Sequence, residues 1–219
     1  MCGRYSIGND IQQIARDLKA KLSPDFTPHY NAAPSQALPV VSNKQRQTVQ
    51  LYEWGIIPFW AKEQGKRLIN ARAETVAEKS TFKKSFQQRR CWVLADGYYE
   101  WQKTKEGKIP HRIVLADQQP FTFAGIWSDH TDEATGEVVP DFCIITTEAS
   151  PSIAPIHDRM PVILPAEVRD LWLTDTEDYA ALLDILRPLP DEQLNAYPVS
   201  KRVNNVQNND EDLLALNSK

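Results

Sequence analysis

Hydrophobic positions along the chain follow a helical spacing near both ends and a strand-like spacing in the middle. Apolar residues recur every three or four positions over residues 9–22, which predicts an N-terminal helix. Shorter helical patterns cover residues 80–89, 165–173 and 176–186. The predicted strands occupy residues 38–42, 48–54, 91–95, 97–103, 111–116, 121–127 and 142–148, with a further short strand in the segment after residue 194.

This order of elements predicts an α+β fold, because strands gathered in the centre do not alternate with helices as in a doubly wound sheet. We expect a single domain over residues 1–219, with a barrel-like, mainly antiparallel β core and peripheral helices. The polar stretch 29–36 and the Gly- and Pro-broken stretch 55–67 are predicted to be loops. Residues 129–139 are predicted to form an acidic, turn-rich connection.

Composition narrows the class of protein. Hydrophobic residues make up 42% of the 219 positions, which is enough for a core, and no run of about 18 apolar residues predicts a membrane span. The start of the chain has no apolar signal-peptide core, so a cytoplasmic protein is expected. Three widely spaced cysteines form neither a disulfide framework nor a zinc pattern, and Cys91 and Cys143 in apolar strands are predicted to be buried structural thiols.

Charge is divided unevenly along the chain. Residues 1–112 hold 19 Lys and Arg against 10 Asp and Glu, whereas residues 113–219 hold 6 against 19, for a net charge of −4. The first half could present a basic face to nucleic acid, or the charges could simply be scattered over a solvated surface. Charge alone leaves both interpretations open.

Cys2 follows the initiator Met1 directly. Methionine aminopeptidases remove Met1 when the next residue is small, and the product carries an amine and a thiol on one carbon skeleton. Their reference pKa values are about 8 and about 8.5, so a useful fraction of the amine is unprotonated at neutral pH. Such an aminothiol condenses with an aldehyde to an imine and then closes to a five-membered thiazolidine. The dipeptide by itself is better explained by a Cys that merely happens to follow Met1.

Three further segments could carry chemistry. In residues 68–75, Asn70, Arg72 and Glu74 share one face if the segment is extended, which suits an anion such as a sugar phosphate or is only a solvated edge. Glu100 lies in an aromatic strand, where it either faces solvent or has a raised proton affinity that suits acid–base work. His157 lies in a Pro-bounded loop as a structural residue or as a proton-transfer group.

Patterns typical of bound cofactors are missing from the sequence. It contains no Gly-rich phosphate loop, no HExxH motif and no paired CxxC motif, so neither a metal site nor a cofactor is expected. Aromatic residues are frequent around the candidate segments, and one or two that are exposed beside basic residues would form stacking platforms for single-stranded bases.

Six motifs in order, MCGRY, YNAAPSQ, WGIIPFW, INARAET, ADGYYEW and IHDRMP, followed by YPVSKRVNNV, resemble the SOS-response-associated peptidase (SRAP) domain family over nearly the whole chain. The resemblance implies a protein that recognises abasic sites in single-stranded DNA and cross-links to their ring-opened aldehyde through a thiazolidine on mature Cys2. It also implies a barrel-like fold with a positively charged DNA groove. The chain departs from the family pattern at Leu94, where Pro is frequent.

The resemblance assigns roles by position. Cys2 is the nucleophile, Asn70 hydrogen-bonds the sugar or the N-terminal amine, and Glu100 positions or deprotonates that amine. His157 assists sugar ring opening and proton transfer. The DNA-binding positions implied are Arg4 and Arg72 for phosphates, Trp60 beside the bases, Thr146 near the lesion, and Asn31 and Trp101.

Three functions follow as hypotheses. The first is the DNA cross-linker, acting once per molecule with lyase-like imine chemistry, as a monomer that is nucleoid-associated when engaged on DNA and has no membrane partner. The alternative is a thiol autoprotease or peptidase that uses Cys2 with His157 and Glu100. The third is a DNA-binding module without covalent chemistry, which leaves Glu100 and His157 unexplained.

Overall fold

The computed structural model describes residues 2–8, 10–23, 26–58, 60–61, 67–132 and 134–217. Within this part of the chain the strands are β1 (Tyr5–Ile7), β2 (His29–Ala32), β3 (Ala37–Ser42), β4 (Gln50–Trp54), β5 (Asn70–Arg72), β6 (Arg90–Ala95), β7 (Gly97–Thr104), β8 (Gly107–Leu115), β9 (Phe121–Thr131), β10 (Val138–Glu148), β11 (Arg159–Pro161) and β12 (Leu194–Pro198). The α-helices are α1 (Ile11–Asp17), α2 (Ser80–Gln88), α3 (Ala166–Leu173) and α4 (Tyr179–Asp184).

A closed barrel forms the centre of the fold. Its strands follow each other in the order β10, β4, β3, β6 and β9, and β9 pairs back onto β10. The β4–β10 pair is parallel, and the other barrel pairs are antiparallel. Strand β10 is long enough to carry β5 beyond β4 on one edge and β11 beyond β9 on the other. These two short strands therefore project from the end of the barrel.

An antiparallel sheet in the order β12, β8, β7, β1 and β2 covers the barrel. Side chains alternate across β7, as expected for a strand. Tyr98 belongs to the main core, whereas Tyr99 packs in a separate cluster with Val199, Val203 and Leu213 of the C-terminal segment. The two faces of β7 therefore meet different parts of the chain.

The α+β prediction with a barrel-like, mainly antiparallel β core is confirmed, as are the central strands and the two helices near residues 166–173 and 179–184. Cys91 and Cys143 are free and fully buried, as predicted. No helix in the described residues has the length and apolar character needed to cross a membrane.

Three local predictions are wrong. The first helix ends at Asp17 instead of residue 22, because Lys19 takes a left-handed backbone with φ 53° and Lys21 bridges to Thr48. The predicted loop at residues 29–36 contains β2, which pairs with β1, so a polar segment became a strand through its partner. The predicted connection 129–139 is shorter than expected at both ends, since β9 and β10 pair as far as Thr131 and Val138. The predicted cap Asn9 lies outside the described residues, as do parts of the predicted loop 55–67.

Candidate functional site around Cys2

Cys2 lies in the core and not on the surface. Its side chain is 0% exposed, and its Sγ is 3.9 Å from the carbonyl oxygen of Arg4. Burial, and then the nearby charge of Glu100, raise the pKa of the Cys2 thiol far above its ordinary value. The thiol is therefore protonated at neutral pH and needs a partner to take its proton before it can react.

A network on Asp96 fixes β1, the strand that follows Cys2 in the chain. Ser6 Oγ donates to Asp96 Oδ1 and the Gly8 amide donates to Asp96 Oδ2, both at 2.5 Å. Arg112 Nη2 also donates to Asp96 Oδ1 at 2.8 Å, and its guanidinium packs so close that a Cβ at Gly97 would lie 2.7 Å from Nε. The buried acid and the neighbouring glycine therefore anchor β1.

The pairing of β1 with β7 brings Glu100 beside Cys2. Tyr5 lies opposite Tyr98, and the Tyr99 amide donates to the Arg4 carbonyl at 2.9 Å, so the pairing continues toward the N-terminus. Because the two strands are antiparallel, residues that precede Tyr5 lie opposite residues that follow Tyr98. This places the Cys2 end of the chain alongside Glu100. Glu100 faces the same side as Tyr98 and is only 3% exposed.

Glu100 has the proton affinity of a group that works near neutral pH. Burial raises its pKa from 4.5 to about 7, with a smaller contribution from the charge of Asp158. Of the two interpretations of the sequence, solvent-facing or buried with raised affinity, the second is confirmed. A carboxyl of this pKa can take and return a proton within one reaction.

Asn70 contacts Cys2 directly. Its Nδ2 donates to the Cys2 carbonyl oxygen at 2.8 Å, while its Oδ1 is buried and has no hydrogen-bond partner within the described ranges. Asn70 is held there because β5 pairs in parallel with β10, opposite Ile144. The amide orients Cys2 with one end and leaves an acceptor free beside it with the other.

His157 closes the site from a loop between β10 and β11. The loop lies against β7, where Gln102 Nε2 is 3.4 Å from the Pro155 carbonyl oxygen. The Arg159 amide donates to His157 Nδ1 at 3.0 Å, and Asp158 Oδ1 is also 3.0 Å from that nitrogen. Burial lowers the pKa of His157, which favours the neutral ring at neutral pH.

The polar residues predicted to share one face of an extended segment, Asn70, Arg72 and Glu74, are not all in one strand. β5 ends at Arg72, and Glu74 lies in the following turn, where Arg159 binds both its oxygens at 2.6 and 2.9 Å. Arg72 is exposed and forms no salt bridge in the described part of the chain. Thr146, opposite Arg72 in the register, is 1% exposed and lies 3.5 Å from the Ala71 carbonyl. Arg72 is therefore an exposed cation without a salt bridge in the described residues, and Thr146 is a buried residue of the strand that pairs with it.

Arg4, Asn31 and Trp101 come together on the opposite face of β7. Arg4 Nη1 donates to Asn31 Oδ1 at 2.7 Å and to the Val203 carbonyl at 2.8 Å, and its guanidinium lies 5.8 Å from the centre of the Trp101 ring. Trp101 Nε1 donates to Asn204 Oδ1 at 2.7 Å. We call Arg4, Asn31 and Trp101, with the segment 203–208, the C-terminal clamp.

Asn31 is the centre of this clamp. It is 2% exposed, and its Nδ2 lies within 3.3 Å of the carbonyl oxygens of Val203, Asn205 and Asn208. Both ends of the amide are engaged within the chain. Asn31 therefore holds Arg4 and the C-terminal segment in place through these hydrogen bonds.

Trp60 lies apart from Cys2. It is 62% exposed, and its Nε1 is 3.5 Å from Thr81 Oγ1 in the first turn of α2. It flanks a cleft of about 820 Å³ between residues 56–58 and 61, α2 and the β9–β10 hairpin. That cleft is not lined by Cys2, Asn70, Glu100 or His157, so it lies apart from the reactive group. In the described residues, no group of three or more His, Cys, Asp or Glu side chains could hold a metal ion.

Comparisons with known proteins identify the family of the chain. The family model of the SOS response associated peptidase (SRAP) matches residues 1–206. The chain is 36% identical to the abasic site processing protein YoqW of Bacillus subtilis over 222 aligned residues, covering 98% of this chain and 99% of that protein. It is 32% identical to the abasic site processing protein YedK of Escherichia coli, covering 98% and 99%.

A solved structure from Bacteroides thetaiotaomicron has the same fold. It is 27% identical, covers 99% of this chain and 100% of its own, and superposes with a TM-score of 0.89. The family match spans the N-terminal Cys2, the barrel and all of the residues that surround Cys2. The chain therefore belongs to the SOS response associated peptidase (SRAP) family.

Proposed function

We propose that this protein processes abasic sites in single-stranded DNA by forming a covalent thiazolidine between mature Cys2 and the lesion, and that it acts as a monomer. The observation that carries the proposal is the convergence on Cys2 of Asn70, which donates to its carbonyl oxygen, and of Glu100, whose pKa is raised to about 7. The names of its relatives YoqW and YedK support abasic sites as the substrate class.

The first step needs a free amine on Cys2. In the chain as translated, that nitrogen is part of the Met1–Cys2 peptide bond, so removal of Met1 precedes the reaction. Ionised Glu100 takes a proton from the ammonium group, and the amine then attacks C1′ of the ring-opened deoxyribose. Glu100 then returns this proton to the hydroxyl of the carbinolamine. The hydroxyl leaves as water, and a protonated imine forms.

The second step closes the ring. The Cys2 thiol gives its proton to the Glu100 carboxylate, the sulfur bonds to the imine carbon, and the C=N electron pair returns to nitrogen. Burial of the thiol holds it protonated until Glu100 takes the proton, which couples ring closure to that carboxylate. His157, whose lowered pKa favours the neutral ring, takes the proton of the C1′ hydroxyl and returns it to the ring oxygen as the sugar ring opens.

Other residues position the DNA. Exposed Arg72, without a salt bridge in the described part of the chain, binds a phosphate beside Asn70. Exposed Trp60 stacks on a base further along the strand. Arg4 and Trp101 contact the strand from the C-terminal clamp, while buried Asn31 and Thr146 hold these groups in place. A protein bound in this way is nucleoid-associated while it is engaged.

Strand cleavage competes with ring closure. The imine acidifies the neighbouring C2′ carbon, so a base can remove its proton and expel the 3′ phosphate, as in a lyase. Closure of the thiazolidine removes the imine and protects the strand. Because Glu100 serves closure in this geometry, we expect one stable adduct per molecule with little cleavage.

A denaturing gel tests the proposal. Uracil-containing single-stranded DNA is treated with uracil glycosylase and incubated with protein whose mass shows that Met1 has been removed. We expect a denaturant-resistant adduct with wild type and none with Cys2→Ala, while Cys91→Ala, which changes a buried cysteine in the barrel, serves as the matched control and still reacts. An equally stable adduct with Cys2→Ala would falsify the mechanism.

A peptidase activity has weaker support from the geometry. A thiol nucleophile needs a lowered pKa, and burial raises the pKa of the Cys2 thiol instead. Turnover of unmodified peptides by wild type, lost in Cys2→Ala, would favour the peptidase. Salt-sensitive DNA binding without any covalent product would favour a non-covalent binding module.

A further inference from the structure

Three buried polar atoms around Cys2 have no hydrogen-bond partner in the described residues. They are Tyr5 Oη, Tyr98 Oη and Asn70 Oδ1. Tyr5 and Tyr98 are both 0% exposed and face each other across the β1–β7 pair. The Asn70 acceptor is explained by the proposed contact with the amine or the sugar. The two hydroxyls have no role in the steps above.

An orphaned buried hydroxyl costs stability. Leaving such a group without a partner costs about 1–3 kcal/mol, and a phenylalanine would fill nearly the same space without that cost. The rings themselves are well packed, since Phe123 lies edge-on to Tyr5 at 5.8 Å and to Tyr98 at 6.1 Å. Packing therefore accounts for the rings but not for their oxygens.

The position of Tyr98 distinguishes its hydroxyl from that of Tyr5. Tyr98 is two residues before Glu100 on the same face of β7, and the register of β1 brings the Cys2 end of the chain to this point. After burial, the charges that raise the pKa of Tyr98 are those of Cys2 and Glu100, whereas for Tyr5 they are those of Cys2 and Cys91. Tyr98 thus keeps its proton, and it is near enough to the two groups that exchange a proton during ring closure for the charges of both to act on it.

We propose that the Tyr98 hydroxyl donates a hydrogen bond to the Cys2 sulfur while that sulfur carries negative charge, and so promotes closure of the thiazolidine. The inference rests on the proposed cross-linking function. The proton balance is unchanged, because the thiol proton goes to Glu100, the S–C bond forms, and Tyr98 only shares its proton. The orphaned hydroxyl of the resting protein gains its partner when the thiolate appears, so its cost in stability is recovered in the reaction.

Tyr99 provides the matched control. It is the next residue on β7, but it faces the C-terminal clamp, and its Oη donates to the Tyr30 carbonyl at 2.8 Å. Tyr98→Phe removes an oxygen without a partner, and Tyr99→Phe removes one with a partner. The two substitutions are chemically identical and differ only in the face of the strand.

The experiment separates imine formation from ring closure. Mature wild type, Tyr98→Phe and Tyr99→Phe are mixed with abasic single-stranded DNA at several pH values. Samples are quenched with borohydride to count the total adduct, or chased with hydroxylamine, which releases imine but not thiazolidine. Melting temperatures are measured on the same preparations.

We expect Tyr98→Phe to form imine at the wild-type rate, to close about 10- to 100-fold more slowly with the profile displaced to higher pH, and to melt no lower than wild type. We expect Tyr99→Phe to melt lower and to close with the wild-type rate and pH profile. Closure by Tyr98→Phe at the wild-type rate and pH profile would overturn the inference alone. Absence of any adduct with wild type would overturn the proposed function and, with it, this inference.

Discussion

The two faces of β7 are built from the same kinds of residue and are used differently. On the side of Cys2, the hydroxyl of Tyr98 and the facing hydroxyl of Tyr5 are buried without partners in the described residues. On the side of the C-terminal clamp, Tyr99 Oη and Trp101 Nε1 both donate, at 2.8 and 2.7 Å. Polar groups that form hydrogen bonds within the chain stabilise the fold. Buried polar groups that lack a partner in the chain mark the place where a reactant provides the hydrogen-bond partner.

The charged groups on the two faces of β7 differ in the same way as the hydroxyls. Burial raises the pKa of Glu100 to about 7, which keeps it ready to exchange a proton. Arg4 on the other face is a cation committed to Asn31 and to the Val203 carbonyl. The first face is expected to govern reaction rate, and the second is expected to govern stability and binding. The predictions below test that division, in order of decreasing effect.

The largest effect is expected for Glu100→Gln. The amide keeps the shape of the side chain but cannot take the proton from the amine or from the thiol, so adduct formation should slow about 100- to 10,000-fold. The wild-type rate should rise with pH as Glu100 ionises near pH 7 and should lose that rise in the variant. Quenched time courses between pH 5 and pH 9 measure this, with exposed Glu106→Gln on the β7–β8 turn as the control. A variant that reacts at the wild-type rate would remove Glu100 from the mechanism.

The same substitution has a consequence for stability. The folded pKa of Glu100 is raised above its ordinary value of 4.5, so the folded state binds more protons than the unfolded state between about pH 4.5 and 7. The free energy of unfolding of wild type should therefore fall across that window as pH rises, and Glu100→Gln should not share that fall. Urea titrations of both proteins at pH 4.5 and pH 8 give the comparison.

The next effect is expected for Asn70→Asp. The substitution replaces the Nδ2 donor to the Cys2 carbonyl oxygen with a carboxylate, which repels that oxygen. We expect adduct formation to slow about 10- to 100-fold, because a donor to a buried acceptor is lost and the repulsion moves Cys2. The rate of gel-stable adduct at saturating DNA measures it, and exposed Asn195→Asp on β12 is the control. Equal rates for both variants would show that the contact does not orient Cys2.

A smaller effect is expected for Arg72→Ala. The exposed cation is lost without loss of a salt bridge, so the melting temperature should not change. DNA affinity should fall, and the slope of log affinity against log salt concentration should become shallower by about one, the value of one phosphate contact. Closure of the thiazolidine in complexes that have already formed should continue. Binding titrations at several salt concentrations measure this. The control is Arg187→Ala, an exposed cation that pairs with Asp184 at the end of α4. An unchanged salt slope would place the DNA elsewhere.

The smallest effect is expected for Asn204→Ala in the C-terminal clamp. It removes the acceptor for Trp101 Nε1 and should cost about 1 kcal/mol of unfolding free energy. The rate of adduct formation at saturating DNA should stay at the wild-type value. Denaturant unfolding and quenched time courses on one preparation test both parts. A slowed reaction at unchanged stability would contradict the division between the two faces.

Much of the fold could be predicted because strand and helix periodicity is a local property. The central strands and the helices near residues 166–173 and 179–184 follow their apolar spacing. β2 could not be found in this way, since its polar residues become a strand only by pairing with β1. The early end of α1 also has a tertiary cause, because Lys21 pairs with Thr48.

The sequence by itself determined which groups are available for chemistry: an amine and a thiol on mature Cys2, a carboxylate within an aromatic strand and a histidine in a loop. Only the tertiary structure decided that Asn70, 68 positions away, reaches Cys2, and that Glu100 is buried enough for its pKa to rise to about 7. The physical reason is that hydrogen bonding and desolvation depend on what packs around a group in space. Two adjacent residues, Tyr98 and Tyr99, read alike in the sequence and differ because strand alternation turns them to opposite faces.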